Sequence, residues 1–164
     1  MSGEGAGLGQ VVILGVAEDL FAIPVSRVQE ILDRRQIARL PDAPPHVLGV
    51  IDVRGAGVSV IDLRSILGLA PKAEDDSTRI LVLWIEEGGR KARIAMRADR
   101  VIEVRELDND RLDPVPEAEL LHWDHRTIAG LGRRAGEFVS VLDIDRLQQV
   151  FGGSVPQAPR ISAA

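Results

Sequence analysis

Val58-Ser59-Val60-Ile61-Asp62-Leu63 returns later in the chain as Val139-Ser140-Val141-Leu142-Asp143-Ile144. Each copy reads as a strand running into an aspartate placed to cap a short helix. Working outward, Gly49 matches Gly130 and Gly55 matches Gly136. Further upstream, Phe21-Ala22-Ile23-Pro24-Val25-Ser26-Arg27-Val28-Gln29-Glu30-Ile31 lines up with Ile94-Ala95-Met96-Arg97-Ala98-Asp99-Arg100-Val101-Ile102-Glu103-Val104. Ala, Arg, Val and Glu coincide, and the apolar positions keep step. The second copy is longer by eight residues, placed between Glu106 and Thr127. Two copies of one supersecondary unit, about residues 21–67 and 94–147, predict two similar lobes related by a rough two-fold. The competing reading is chance likeness among Val-rich strands. A lobe of roughly 70 residues buries too little apolar surface to stand alone. The lobes are therefore expected to pack together and leave a seam, a common place to receive a partner.

The rest of the chain follows the same β pattern. Short β-branched runs bounded by Gly, Pro, Asp or Asn predict nine strands. They are Val11–Val16, Leu20–Val25, Val47–Val53, Val58–Leu63, Ile80–Ile85, Arg93–Ala98, Arg100–Leu107, Thr127–Arg133 and Phe138–Leu142. Two short helices are expected: Asp62–Leu69, capped by Asp62 and stopped at Gly68, and Asp143–Phe151, capped by Asp143 and stopped at Gly152. Val28–Leu32 is open between a strand and a short helix, because Val28, Ile31 and Leu32 have helical spacing. Residues 1–9 are expected to be flexible and 152–164 disordered. Pro71–Ser77 reads as a solvated loop between the halves.

Composition narrows function. The chain has 164 residues, 45% apolar and 27% charged, an ordinary globular balance. With three Phe, two Trp and no Tyr, the core must come from Val, Ile and Leu. The absence of Cys excludes disulfides, Cys-ligated zinc and thiol catalysis. No apolar run of about 20 residues predicts a membrane span, so no direct membrane insertion is expected. The Gly-rich start, Met1 to Gly9, lacks the basic region of a signal peptide, so the cytoplasm is the expected location. A net charge of −5 argues against nucleic acid.

Reactive groups do not converge. His122-Trp123-Asp124-His125 lacks the spacing and the glutamate of a helical zinc motif and reads as a surface loop. No G-x-S-x-G elbow is present, and Ser59 and Ser140 fall within strand alternation. Gly130-Leu131-Gly132-Arg133-Arg134-Ala135-Gly136 has the wrong spacing for a phosphate cradle, and Arg134-Ala135-Gly136-Glu137 reads as a turn between strands. Glu74-Asp75-Asp76 reads as a solvated acidic loop. No catalytic residue, metal or cofactor is predicted, which points to a binding module.

The pattern resembles the CheW family, the coupling proteins of bacterial chemoreceptor arrays. Four stretches carry the resemblance. They are Phe21–Val25 with Arg27–Ile31; Leu40-Pro41 with Pro44–Gly55; Val58–Arg64; and Ala98–Val104 with Gly130-Leu131-Gly132 beyond. It spans about residues 10 to 151. Asp52 and Ser59 depart from it, standing where many members have Asn and Pro. The resemblance implies a mostly β fold: two five-stranded, SH3-like barrels sharing a core, with short helices including a C-terminal one. It implies no catalytic activity. The implied role is an adaptor that bridges a CheA-type histidine kinase, through the kinase's regulatory domain, to the cytoplasmic tips of methyl-accepting chemoreceptors.

Carried over by position, the receptor-binding candidates are Val28, Glu30, Ile31 and Val101, with plain core packing the alternative for Val28 and Ile31. Gly49, Arg54 and Gly55 are assigned to a strand-end turn that shapes the surface. Arg54 is open between an internal ion pair and a partner contact. The competing functions are an adaptor of a non-motility two-component pathway and, in a different class, a small-ligand-binding or enzymatic barrel.

Overall fold

The computed structural model describes residues 8–109, 111–115 and 127–147. The strands are β1 (Gln10–Val16), β2 (Asp19–Pro24), β3 (Val28–Asp33), β4 (Val47–Val53), β5 (Ala56–Asp62), β6 (Arg79–Glu87), β7 (Arg90–Ala98), β8 (Arg100–Glu106), β9 (Ile128–Arg134) and β10 (Glu137–Leu142). A 3-10 turn, Val25–Arg27, separates β2 from β3; α1 is Leu63–Ile66 and α2 is Ile144–Leu147. The histidine-containing stretch 122–125, both chain ends and the last residues of the expected C-terminal helix lie outside the described residues.

The strands form two five-stranded sheets, ordered β8-β1-β2-β10-β9 and β3-β6-β7-β5-β4. Adding five to each strand of the first half, and subtracting five in the second, converts one order into the other. The sequence repeat is therefore a structural repeat, but the repeat unit is not a sheet. Each five-strand unit divides two and three: β1 and β2 lie in the first sheet and β3, β4 and β5 in the second, while β6 and β7 lie in the second and β8, β9 and β10 in the first. The parallel contacts obey the same rule: β10 runs beside β2 with Ser140 opposite Phe21, and β5 beside β7 with Val60 opposite Ala95.

Each sheet curls until its edges meet. Just past β3, Ala38 exchanges backbone hydrogen bonds of 2.9 and 2.8 Å with Val50 of β4, the far edge of its sheet. Past β8, Asp113 does the same with Leu131 of β9, at 2.8 Å each way. Both sheets thereby close into small barrels, which protects edges that would otherwise offer unpaired backbone.

Three apolar clusters result. Ile51, Val53, Val58, Val60, Ile80 and Val82 fill one barrel, and Val11, Ile13, Ala22, Val139 and Val141 fill the other. The largest cluster lies between the sheets and includes Leu14, Phe21, Ile23, Ile61, Leu81, Leu83, Met96 and Leu142. β1 and β6 contribute to a barrel interior with one face and to the shared core with the other. That explains their unbroken apolar runs, Val11-Val12-Ile13-Leu14 and Ile80-Leu81-Val82-Leu83, where a half-exposed strand would alternate.

Val28–Leu32 resolves as a strand. An extra residue, Gln29, bulges between the pairs Val28–Leu83 and Glu30–Val82. The bulge turns Val28 toward the shared core and Leu32 into its barrel, so apolar residues four apart end on opposite faces. β8 carries the same irregularity at Ile102, between the pairs Ile13–Glu103 and Leu14–Val101. The helix expected over Asp62–Leu69 is a single turn. Asp62 caps it by accepting from the Arg64 N–H, and Gly68, at φ +75°, ends it.

Candidate partner-binding face

Pro24 ends β2, and the 3-10 turn swings the chain to the edge of the other sheet, where β3 begins. Val28 is half-buried there against the shared core, and Ile31 faces outward with 39% of its surface exposed. Glu30 lies between them. Its carboxylate accepts from Arg54 Nε at 3.2 Å and from Gln29 Nε2 at 3.2 Å. The hydrogen bond from Arg54 is the main reason the Glu30 carboxyl titrates below the usual carboxylate range. β3 and β4 are opposite edges of one sheet, so this ion pair is a side-chain clasp across the barrel closure. The Gln29 Oε1 next to it is buried and has no hydrogen-bond partner among the described residues.

Arg54 and Gly55 form the two-residue turn between β4 and β5, with φ of +54° and +86°. The Gly55 N–H donates to Asp52 Oδ1 at 2.7 Å. Gly49, expected in a strand-end turn, instead lies within β4 at a register shift. A Cβ built there would collide with the carbonyl oxygen of Ala38, so this glycine serves the barrel closure.

Val101 occupies in β8 the place Val28 holds in β3, half-buried against the same shared core. The correspondence extends to residues that sequence reasoning missed. Val104, equivalent to Ile31, is 49% exposed. Glu103, equivalent to Glu30, is ion-paired to Arg134 at the β9–β10 turn. That turn, Ala135-Gly136, has φ of +49° and +86°. The repeat alignment already set Glu30 against Glu103 and Ile31 against Val104, so the signal was in the sequence.

Two further ion pairs, of reversed polarity, tie the helices to the junctions where the chain crosses from one sheet to the other. Arg64 of α1 pairs with Asp99 at the β7–β8 junction, and Asp145 of α2 pairs with Arg27 at the β2–β3 junction. Arg27 Nη1 also donates to the Trp84 carbonyl at 3.0 Å, and Arg100 Nη1 to the Ala17 carbonyl at 2.9 Å. These links fix the junctions from which β3 and β8, and hence Val28 and Val101, depart.

A shallow depression of about 160 Å³ opens beside the second helix, lined by Leu8, Pro24, Arg27, Val141, Leu142 and Ile144. It is chiefly aliphatic. Among the described residues, no group of three or more His, Asp or Glu is arranged to hold a metal ion. No helix among them is long and apolar enough to cross a membrane.

Residues 10–151 match the family model for the CheW-like domain. The chain is 30% identical over 148 residues to the chemotaxis protein CheW of Klebsiella aerogenes, covering 90% of this chain and 85% of that protein. It is 28% identical over 132 residues to the chemotaxis protein CheW of Helicobacter pylori, covering 80% and 76%. The fold superposes on the crystal structure of the scaffolding protein TtCheW from Thermoanaerobacter tengcongensis with a TM-score of 0.79 at 23% identity, covering 92% of this chain and 94% of that one.

Proposed function

The chain belongs to the CheW-like domain family, and from that premise we propose that it is a non-catalytic adaptor joining a CheA-type histidine kinase to the cytoplasmic tips of methyl-accepting chemoreceptors. The observation that supports this reading best is the pair Val28 and Val101. They are equivalent in the repeat, sit on opposite sheets, and are each half-buried on the one core that both sheets share. Apolar side chains at a seam, next to an exposed Ile31, suit the stripe of an amphipathic receptor helix. Glu30, held by Arg54, adds a fixed charge that selects register more than affinity. A barrel surface is left to pair with the regulatory domain of the kinase. The protein works in the cytoplasm and reaches the membrane through its receptors.

The test is co-sedimentation with receptor-containing membranes. Ile31→Asp alters a side chain outside the core and is expected to leave the thermal midpoint unchanged, whereas Glu30→Lys sets a cation against Arg54 and is expected to lower it slightly; both should weaken receptor capture at least about tenfold. Val28→Asp is expected to do the same with some loss of stability. Unchanged capture by both Glu30→Lys and Ile31→Asp would remove β3 from the receptor interface.

A further inference from the structure

The basic run Arg34-Arg35 and the acidic run Glu74-Asp75-Asp76 lie against each other in the fold. Arg34 Nη2 is 3.2 Å from Asp76 Oδ1, and Arg97 Nη1 is 3.2 Å from Glu74 Oε2. Beneath the acidic loop is a concavity of about 330 Å³ between the β3–β4 connection, β4 and β7. Its lining brings together three guanidinium groups, Arg35, Arg39 and Arg97, over the apolar side chains of Ile37 and Leu48. One carboxylate lines it, that of Glu74. Arg97 is already shared by Glu74 and by Asp62 at 3.3 Å. Arg35 and Arg39 are exposed, and neither forms an ion pair among the described residues.

We propose that this concavity docks an acidic polypeptide segment of a partner protein, and that Glu74 is a tethered stand-in for the incoming carboxylate. In a chain of net charge −5, a local excess of guanidinium over carboxylate stands out against the field of the rest of the molecule. Guanidinium groups favour carboxylates because the planar fork donates two parallel hydrogen bonds. Ile37 and Leu48 supply an apolar floor for an aliphatic side chain between the acids. No aromatic ring lines the concavity to stack a base, which favours a polypeptide over a nucleic acid. A segment entering the site displaces Glu74 from Arg97 and lifts the loop that Asp76 anchors to Arg34.

The probe is a fluorescein-labelled peptide of alternating glutamate and leucine, followed by anisotropy with the full chain at moderate salt. Binding should weaken at least about tenfold in Arg35→Glu/Arg39→Glu, whose positions are exposed and leave the fold intact. Glu74→Gln should tighten binding about threefold or more, because it removes the competing internal carboxylate. Raising the salt should weaken binding in the wild type and flatten the difference between variants. Equal binding of the same peptide with glutamine in place of glutamate would overturn the proposal. So would an equal loss in Arg90→Glu, an exposed arginine remote from the lining, or equal or tighter binding of a single-stranded DNA oligonucleotide.

Discussion

Replacing Gly49 with alanine is expected to destabilise the protein by about 3 kcal/mol or more, a drop of roughly 6–12 °C in Tm. The cause is a backbone collision. A Cβ at this position would run into the Ala38 carbonyl oxygen and lie 2.9 Å from both the Ala38 carbonyl carbon and Ile37 Cγ2. Rotating a side chain cannot relieve it, because Ala38 is held in place by its two hydrogen bonds with Val50. The residue's φ of +151° adds strain for any L side chain. Relief requires parting Ala38 from β4, which reopens the barrel. Gly130 occupies the equivalent place in the other barrel, and Gly130→Ala is expected to cost less, about 1–2 kcal/mol. Its added Cβ would lie 2.8 Å from Leu112 Cβ and 3.0 Å from the Asp113 carbonyl, and its φ is not positive. Chemical denaturation of the two variants checks both the size and the order. A Gly49→Ala midpoint near that of wild type, or a Gly130→Ala variant that is the weaker of the two, would show that the closure is not what fixes this glycine.

The repeat was legible in the sequence because local chemistry writes it there twice. Alternation marks the strands, a positive-φ glycine marks the β4–β5 and β9–β10 turns, and an aspartate marks each helix start. Most strands therefore sit within a residue or two of their predicted bounds. Which sheet each strand joins is a question of pairing, and periodicity carries no partner label. That is why the two-and-three division of each unit between the sheets emerged only from the structure. The bulges at Gln29 and Ile102 had a similar effect: one extra residue inverted the alternation and made β3 look half-helical. Gly49 was misplaced because a glycine inside a β pattern signals either a turn or a close approach, and only the nearby Ala38 carbonyl decides. Of the candidate face, Val28, Glu30, Ile31 and Val101 came from family resemblance. Glu103 and Val104 were available from the internal register. The Glu30–Arg54 clasp joins residues 24 apart on opposite edges, a distance across which charge patterning says nothing.

Arg64→Ala is expected to cost about 3 kcal/mol, because it strips a largely buried carboxylate of its counter-ion. The Arg64 and Asp99 side chains are 15% and 9% exposed. Arg64 Nε lies 2.9 and 3.2 Å from the two Asp99 oxygens and Nη2 lies 2.9 Å from Oδ2, which also accepts the Ala17 N–H at 2.7 Å. One carboxylate thus joins α1 and the β1–β2 turn to the β7–β8 junction. The pair of reversed polarity, Arg27–Asp145, is 28% and 41% exposed, and Arg27→Ala should cost only about 1 kcal/mol. Burial raises the Asp99 carboxyl, but the Arg64 and Ala17 hydrogen bonds more than offset it, and the group titrates below its usual range. Its folded pKa is therefore below its unfolded one, near about pH 4. In the interval between them the unfolded chain binds the extra proton. The contribution of Asp99 is present above pH 4 and is lost as pH falls through the folded value. Asp99→Asn should accordingly lower stability at neutral pH and shallow the acid limb of the stability curve. The coupling between Arg64→Ala and Asp99→Ala in a double-mutant cycle should reach about 1.5 kcal/mol or more. Strict additivity of the two, or an acid limb unchanged by Asp99→Asn, would mean that the junction is held by packing of Leu63 and Ala98 alone and that the ion pair is incidental to it.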